Sequence, residues 1–151
     1  MKILDMSAGN RAMWFDKTNP LATFLDIREC VKPTFVCNTT SIPPEVGNDF
    51  DLVVFDPPHE NTSANSNMAD RYGHWTRLQI TNTIVGSGRE AHRVTREKAL
   101  MAFKWNNKAW SLDKVLKLID QWWVPLFGSH LRNQGGSSAK TQTYWVMLLR
   151  K

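Results

Sequence analysis

Cysteine is nearly absent from this chain. Only Cys30 and Cys37 occur in 151 residues, with no His or Cys companions at metal-ligand spacing. That excludes a disulfide framework and a cysteine-built metal centre, and no metal site is expected; a reducing compartment, the cytoplasm, is the default. No apolar run approaches the length that spans a bilayer, and the N-terminus MKILDMSAG lacks the character of a signal peptide. No membrane partner is expected. There is no internal repeat and no composition shift that marks a domain boundary, so residues 1–151 read as a single domain with a real core.

What is present is a globular composition, 42% hydrophobic and 22% charged, with seven tryptophans. The net charge of +5 is unevenly placed. Residues 1–67 hold 5 Lys/Arg against 9 Asp/Glu, residues 68–117 hold 10 against 4, and residues 118–151 hold 4 against 1. The acidic first part is followed by a basic remainder, which suits an anionic partner reaching the second half. A merely solvated basic surface is the plainer alternative.

Short apolar runs bounded by turn formers predict strands at Lys2–Met6, Ala22–Asp26, Thr34–Cys37, Asp51–Phe55 and Ala99–Trp105, with late strands at Trp123–Phe127 and Gln142–Leu149. Between the first strands the connections are short: Asn10–Lys17 allows one or two helical turns, and Arg28–Lys32 hardly one. The spacing of Leu112, Val115, Leu116 and Ile119 predicts an amphipathic helix over Leu112–Trp122, with Ser111 as N-cap. Gly86 and Gly88 predict a break in a helical stretch, which resumes over Glu90–Glu97. His59–Asp70 is polar and asparagine-rich and reads as a loop over the site; Asn133–Ala139 is a second loop. Strands alternating with short crossovers, closed by a late pair, indicate an α/β sheet with one antiparallel element.

The most informative segment is Asp51–Glu60, DLVVFDPPHE. A buried strand there delivers Asp56, Pro57, Pro58 and His59 to its carboxyl end, where open parallel sheets bind ligands. Proline stiffens the turn and leaves carbonyls free to accept. A carboxylate and a rigid carbonyl at one point suit the two N–H bonds of an NH2 group. Two further turns stand in order before it. Asp5-Met6-Ser7-Ala8-Gly9 is a small-residue turn after the first strand, which lets a ligand approach the backbone; a second glycine is missing at Asn10. Asp26 ends the second strand about 20 residues on, the interval at which an acid meets ribose hydroxyls in nucleoside-binding α/β folds. Each has a bland reading as a turn or helix cap; their fixed order is what carries weight.

In that order, Asp-x-x-x-Gly, strand-two acid and Asp-Pro-Pro, the chain resembles the class I S-adenosylmethionine-dependent methyltransferases, in the branch that methylates exocyclic amino groups. Lys2–Lys17, Asp26–Glu29, Phe50–His59 and Phe103–Asn106 (FKWN) resemble a group of small phage and prophage methyltransferases. The resemblance spans most of the chain and is weakest over residues 61–98. It implies a Rossmann-like methyltransferase fold with a mostly parallel sheet, and S-adenosyl-L-methionine as cofactor. By the resemblance, Asp5, Ser7, Ala8 and Gly9 line the methionine and ribose, Asp26 holds the ribose, and Asn38 and Thr39 approach the adenine. Asp56 and the Pro57 carbonyl accept from the target amine. His59 stands where the family has Tyr, Phe or Trp.

The expected substrate is an exocyclic amine of a nucleobase in DNA or RNA, adenine N6 first and cytosine N4 next. Lys104 and Asn106 at the end of strand five, and Arg71 and Arg77 beyond the site loop, are the expected substrate contacts, with Arg89, Arg93 and Arg96 as further basic candidates. Phe103 and Trp105, on the opposite strand face, are expected in the core. A protein amide, a small molecule, or a catalytically silent cofactor-binding subunit remain alternatives. The chain is too short to hold a large target-recognition domain, which leaves room for a homodimer or a partner subunit.

Overall fold

The computed structural model describes residues 1–59, 75–132 and 142–151. Seven strands form one sheet: β1 (Ile3–Asp5), β2 (Ala22–Asp26), β3 (Phe35–Val36), β4 (Phe50–Phe55), β5 (Thr95–Asn106), β6 (Trp123–Arg132) and β7 (Gln142–Arg150). Their order is β3-β2-β1-β4-β5-β7-β6. The first five pair in parallel, and β7 runs antiparallel to both β5 and β6. This is the expected α/β architecture, a Rossmann-like sheet with one antiparallel late strand. The parallel order reverses beside β1, so the carboxyl ends of β1, β2 and β4 converge on one crevice.

Two α-helices are present among the described residues: α1 (Arg77–Val94) and α2 (Leu112–Lys117). The connections from β1 to β2, from β2 to β3 and from β3 to β4 hold no α-helix, only turns and two short 3-10 segments. The expected helical turns over Asn10–Lys17 do not form. Gly9 and Arg11 both take left-handed backbone angles, and the Arg11 guanidinium pins the loop by donating to the carbonyls of Lys17 and Lys32.

The helix break expected at Gly86 and Gly88 is also absent; α1 runs through both. Their role is close approach. A Cβ on Gly86 would lie 2.9 Å from Thr40 Cβ, and one on Gly88 would lie 2.6 Å from Ile119 Cγ2. Helix α1 starts at a capping box, in which Thr76 and Gln79 each accept from the other's backbone N–H. It ends at Val94 rather than Glu97, where the Thr95 hydroxyl donates to the Ala91 carbonyl. Arg96–Lys98 instead opens β5 irregularly, with Lys98 at φ 61° and Arg96 paired to Asp51 at 2.5 Å. Helix α2 stops at Lys117, short of the expected Trp122; Ser111 holds the N-cap position, but its side chain makes no capping hydrogen bond.

One core joins sheet and helices. Strand β5 alternates: Met101, Phe103 and Trp105 are fully buried against Ile80, Ile84, Val115 and Ile119, while Leu100, Ala102 and Lys104 on the other face are half-buried. Each fully buried large apolar side chain contributes about 1.5–3 kcal/mol relative to exposure. Phe103 and Trp105 thus hold the core role expected of them, with their rings stacked 6.2 Å apart. The two outer strands are dissimilar. β3 has two residues, and β6 carries Pro125, a register shift between Pro125 and Phe127, and exposed Leu126 and Phe127.

Candidate active site at the carboxyl ends of β1, β2 and β4

Three carboxylates meet at the crevice: Asp5 closes β1, Asp26 closes β2, and Asp56 follows β4. Their environments differ sharply. Asp5 is fully buried and accepts from two neutral donors, Ser7 N–H at 2.9 Å and Trp14 Nε1 at 2.7 Å. Burial pushes its carboxyl above the usual range, the two hydrogen bonds oppose this, and the charges of Asp56 and Asp26 raise it further. Asp26 is held by Arg28, with Nε on Oδ1 at 2.9 Å and Nη2 on Oδ2 at 3.0 Å. The backbone N–H of Arg28 and of Gly9 also donate to it. Burial alone would raise the Asp26 carboxyl, but these donors and the guanidinium charge hold it below its ordinary value.

Asp56 is placed by register. Phe55 pairs with Phe103, so the next residues, Asp56 and Lys104, stand opposite one another. Lys104 Nζ lies 2.6 Å from Asp56 Oδ2. Asp56 Oδ1 is buried and, among the described residues, has no hydrogen-bond partner. The Asp56 backbone N–H donates to Ser7 Oγ at 2.7 Å, stitching the β4 turn to the β1 turn. His59 folds back over the same turn: its Nδ1 is 3.2 Å from the Pro57 carbonyl and 3.8 Å from Asp56 Oδ1, and its ring meets Trp105 edge-on at 6.2 Å. The imidazole is thus part of the turn, in hydrogen-bond reach of a carbonyl that a stacking aromatic could not engage.

The other expected site residues are distributed as follows. Ala8 is buried, and its N–H donates to the Leu25 carbonyl, so only its backbone lies along the β1 turn. Gly9, at φ 50°, turns its N–H onto Asp26. Asn38 accepts from the backbone and hydroxyl of Thr40, and Thr39 shares a 2.7 Å hydrogen bond with Ser87 on α1. Both therefore shape the β3 loop and its seat on the helix. Asn106 is buried; it donates to Thr143 Oγ1 and accepts from Lys108 N–H, which joins β5 to β7. Pro58 completes the turn and is half-buried. Arg77 is exposed at the start of α1, and Arg71 lies outside the described residues, as do most of the predicted site loop and the second loop. Of the further basic candidates, Arg93 is committed to Glu90 and the Ile42 carbonyl, and Arg96 to Asp51.

Sequence reasoning did not single out Arg28 or Trp14, the partners of Asp26 and Asp5. The Arg28 signal was available, since an Asp-x-Arg turn allows a local fork. The Lys104–Asp56 pair needs the β4–β5 register, which neither segment reveals alone. Two cations, Arg28 and Lys104, are paired to two of the three carboxylates, and the third, Asp5, is held by neutral donors only. The crevice suits a cationic ligand that also carries hydroxyls, and the small-residue turn leaves backbone within reach. Among the described residues no cluster of metal-ligating side chains exists.

No protein-family profile matches the sequence, and no curated protein matches it. Solved structures do match in fold. N-methyltransferase NodS from Bradyrhizobium japonicum, in complex with S-adenosyl-L-homocysteine, aligns with a TM-score of 0.63 at 10% identity over 99% of this chain and 77% of its own. A TehB-like SAM-dependent methyltransferase from Corynebacterium glutamicum aligns at 0.63, with 10% identity, over 99% and 80%. An rRNA methylase from Streptococcus thermophilus aligns at 0.55, with 10% identity, over 98% and 85%. At that identity the likeness is one of fold: the chain has the fold of these methyltransferases.

Proposed function

We propose that this chain is an S-adenosylmethionine-dependent N-methyltransferase acting on an exocyclic amino group of a nucleobase in DNA or RNA, with adenine N6 ahead of cytosine N4. The single observation that carries the reading is the buried, unpartnered Oδ1 of Asp56, beside the Pro57 carbonyl and at the carboxyl end of the central strand. A buried carboxylate oxygen without a donor is costly, and a substrate N–H is the donor that would satisfy it.

The cofactor fits the crevice by charge and by chemistry. Asp26 would accept the ribose hydroxyls in exchange for the Arg28 fork that now covers it, the Ser7–Gly9 turn gives backbone access, and the carboxylates at the strand ends suit a sulfonium. Bound S-adenosylmethionine would supply an electrophilic methyl group. The protein's own work is on the acceptor. An aromatic amine is a poor nucleophile because its lone pair is delocalised into the ring. Asp56 Oδ1 and the Pro57 carbonyl would accept its two N–H bonds, draw the nitrogen towards tetrahedral geometry and offset the positive charge that builds there. Lys104 holds the other carboxylate oxygen, so Asp56 is fixed before substrate arrives. His59 Nδ1 lies 3.2 Å from the Pro57 carbonyl and would brace it. A target base in a duplex must first be flipped out.

The structural neighbours support this reading at the level of chemistry: one is an N-methyltransferase and one an rRNA methylase. The test is transfer of labelled methyl from S-adenosylmethionine to a panel of DNA, RNA and protein, followed by digestion to identify the product. Labelled N6-methyladenine or N4-methylcytosine is the expected outcome. Label confined to protein amides or small molecules overturns the substrate, and no cofactor binding by calorimetry overturns the whole reading.

A further inference from the structure

Beside the candidate site lies a cluster that its chemistry does not use. Trp110 follows β5, and its backbone carbonyl accepts from Trp105 Nε1 at 2.9 Å. Two cations lie over its indole: the Arg77 guanidinium 5.0 Å from the ring centroid, and Lys114 Nζ at 5.3 Å. Both side chains are exposed, and among the described residues neither forms an ion pair with a carboxylate. The Trp110 Nε1 donor is itself without a partner. The cluster thus presents a guanidinium and an ammonium, both donors, over an indole whose own N–H is buried. The cation–π contacts seat both charges on the one indole in place of a carboxylate.

A cluster of donors only is complementary to an anion with several acceptor oxygens. Its position narrows the choice. The His59 ring is 6.2 Å from Trp105, and Trp105 is hydrogen-bonded to Trp110. One aromatic residue therefore separates the cluster from the Asp56–Pro57 turn. We propose that Arg77 and Lys114, seated on Trp110, bind a phosphate next to the target base, so that the nucleic-acid backbone is gripped while the amine is delivered to Asp56. This rests on the nucleobase reading above and adds to it where the strand lies. The shared chemistry is a phosphate linked to a base, in a polynucleotide or in a free nucleotide.

The test is fluorescence anisotropy of a labelled single-stranded oligonucleotide across a salt series, with wild type, Arg77→Ala/Lys114→Ala, Trp110→Phe and Asp56→Ala. The cation variants alter exposed side chains, and circular dichroism checks that each protein is folded. The expected result is a salt slope smaller by about 0.7 in the double variant, the value for one phosphate of a single strand, with binding roughly several-fold weaker at about 0.15 M salt. Trp110→Phe, which keeps the ring platform, should weaken binding less, and Asp56→Ala should leave the slope unchanged. Competition with a mononucleotide that depends on the same two residues would assign the phosphate to a free nucleotide; competition only by oligonucleotide assigns it to a backbone. An unchanged slope in the double variant, with wild-type methyl transfer to a base intact, overturns the phosphate cluster and leaves the function standing. No nucleobase product and no salt-dependent binding by wild type overturns both.

Discussion

Lys104 Nζ stands 2.6 Å from Asp56 Oδ2, while Oδ1 of the same carboxylate is buried and, among the described residues, without a hydrogen bond, with His59 Nδ1 3.8 Å away. One oxygen is anchored and the other is left to accept. An anchored carboxylate cannot rotate freely, so its open lone pairs keep one direction, the condition under which a hydrogen bond assists a reaction rather than only binding.

Asp56→Ala is therefore expected to lower methyl transfer by roughly 100- to 1,000-fold while leaving cofactor affinity nearly intact. Lys104→Met should leave cofactor affinity intact too but lower transfer less, because it frees the carboxylate without removing it. Single-turnover transfer and calorimetry read the two effects separately. Full activity in Asp56→Ala would reduce the Asp-Pro-Pro turn to a turn.

Asp26 and Arg28 make a second test. The guanidinium forks onto both Asp26 oxygens. Asp26→Ala should weaken S-adenosylmethionine binding by about 1.5–3 kcal/mol. Arg28→Ala should bind at least as tightly as wild type, since it releases acceptors for the ribose. Calorimetry showing equal losses in both variants would mean that the ion pair, rather than the carboxylate, makes the contact.

Asp5 sets a pH dependence of opposite sign to Asp26. Its folded pKa lies above the ordinary 3.8, chiefly through burial. Its contribution to stability is therefore fully present below the unfolded value and is lost as pH rises through the folded one. Relative to Asp5→Asn, the wild type should gain stability as pH falls from 7 towards 4, measured by urea unfolding without cofactor. A wild type that loses stability relative to Asp5→Asn in that direction would contradict the assignment.

Gly88 offers a packing test. Alanine there gains up to about 1 kcal/mol of helix propensity but sets a methyl 2.6 Å from Ile119 Cγ2. Overpacking costs of about 1–3 kcal/mol should win, leaving Gly88→Ala less stable. In an Ile119→Ala background the same change should cost less or nothing, and a double-mutant cycle measures the coupling. Additive effects would place the strain elsewhere.

The strands were legible because each is a short apolar run cut off by polar or proline turn residues, and the acids at their ends could be read in order as one site. Helix α1 was not, because glycine carries the same letter whether it breaks a helix or lets another element in close. The contacts of Gly86 with Thr40 and of Gly88 with Ile119 exist only in three dimensions. The same limit hid the Lys104–Asp56 pair: each residue was visible as a candidate, but the register of β5 on β4 makes them neighbours. Arg93 and Arg96 were legible as charge and not as free charge, since their partners Glu90 and Asp51 are set by the helix turn and the sheet edge.

The sheet has two ends, and neither invites growth. At one, β3 offers only two residues; at the other, β6 carries a proline, which has no N–H to give, and a register shift that bends the ladder. A further strand arriving beyond β3 finds only two residues to copy, and one arriving beyond β6 meets a ladder interrupted between Pro125 and Phe127. The interruption falls where Leu126 and Phe127 stand exposed, so the most apolar part of this edge is also the part least able to pair with a neighbour.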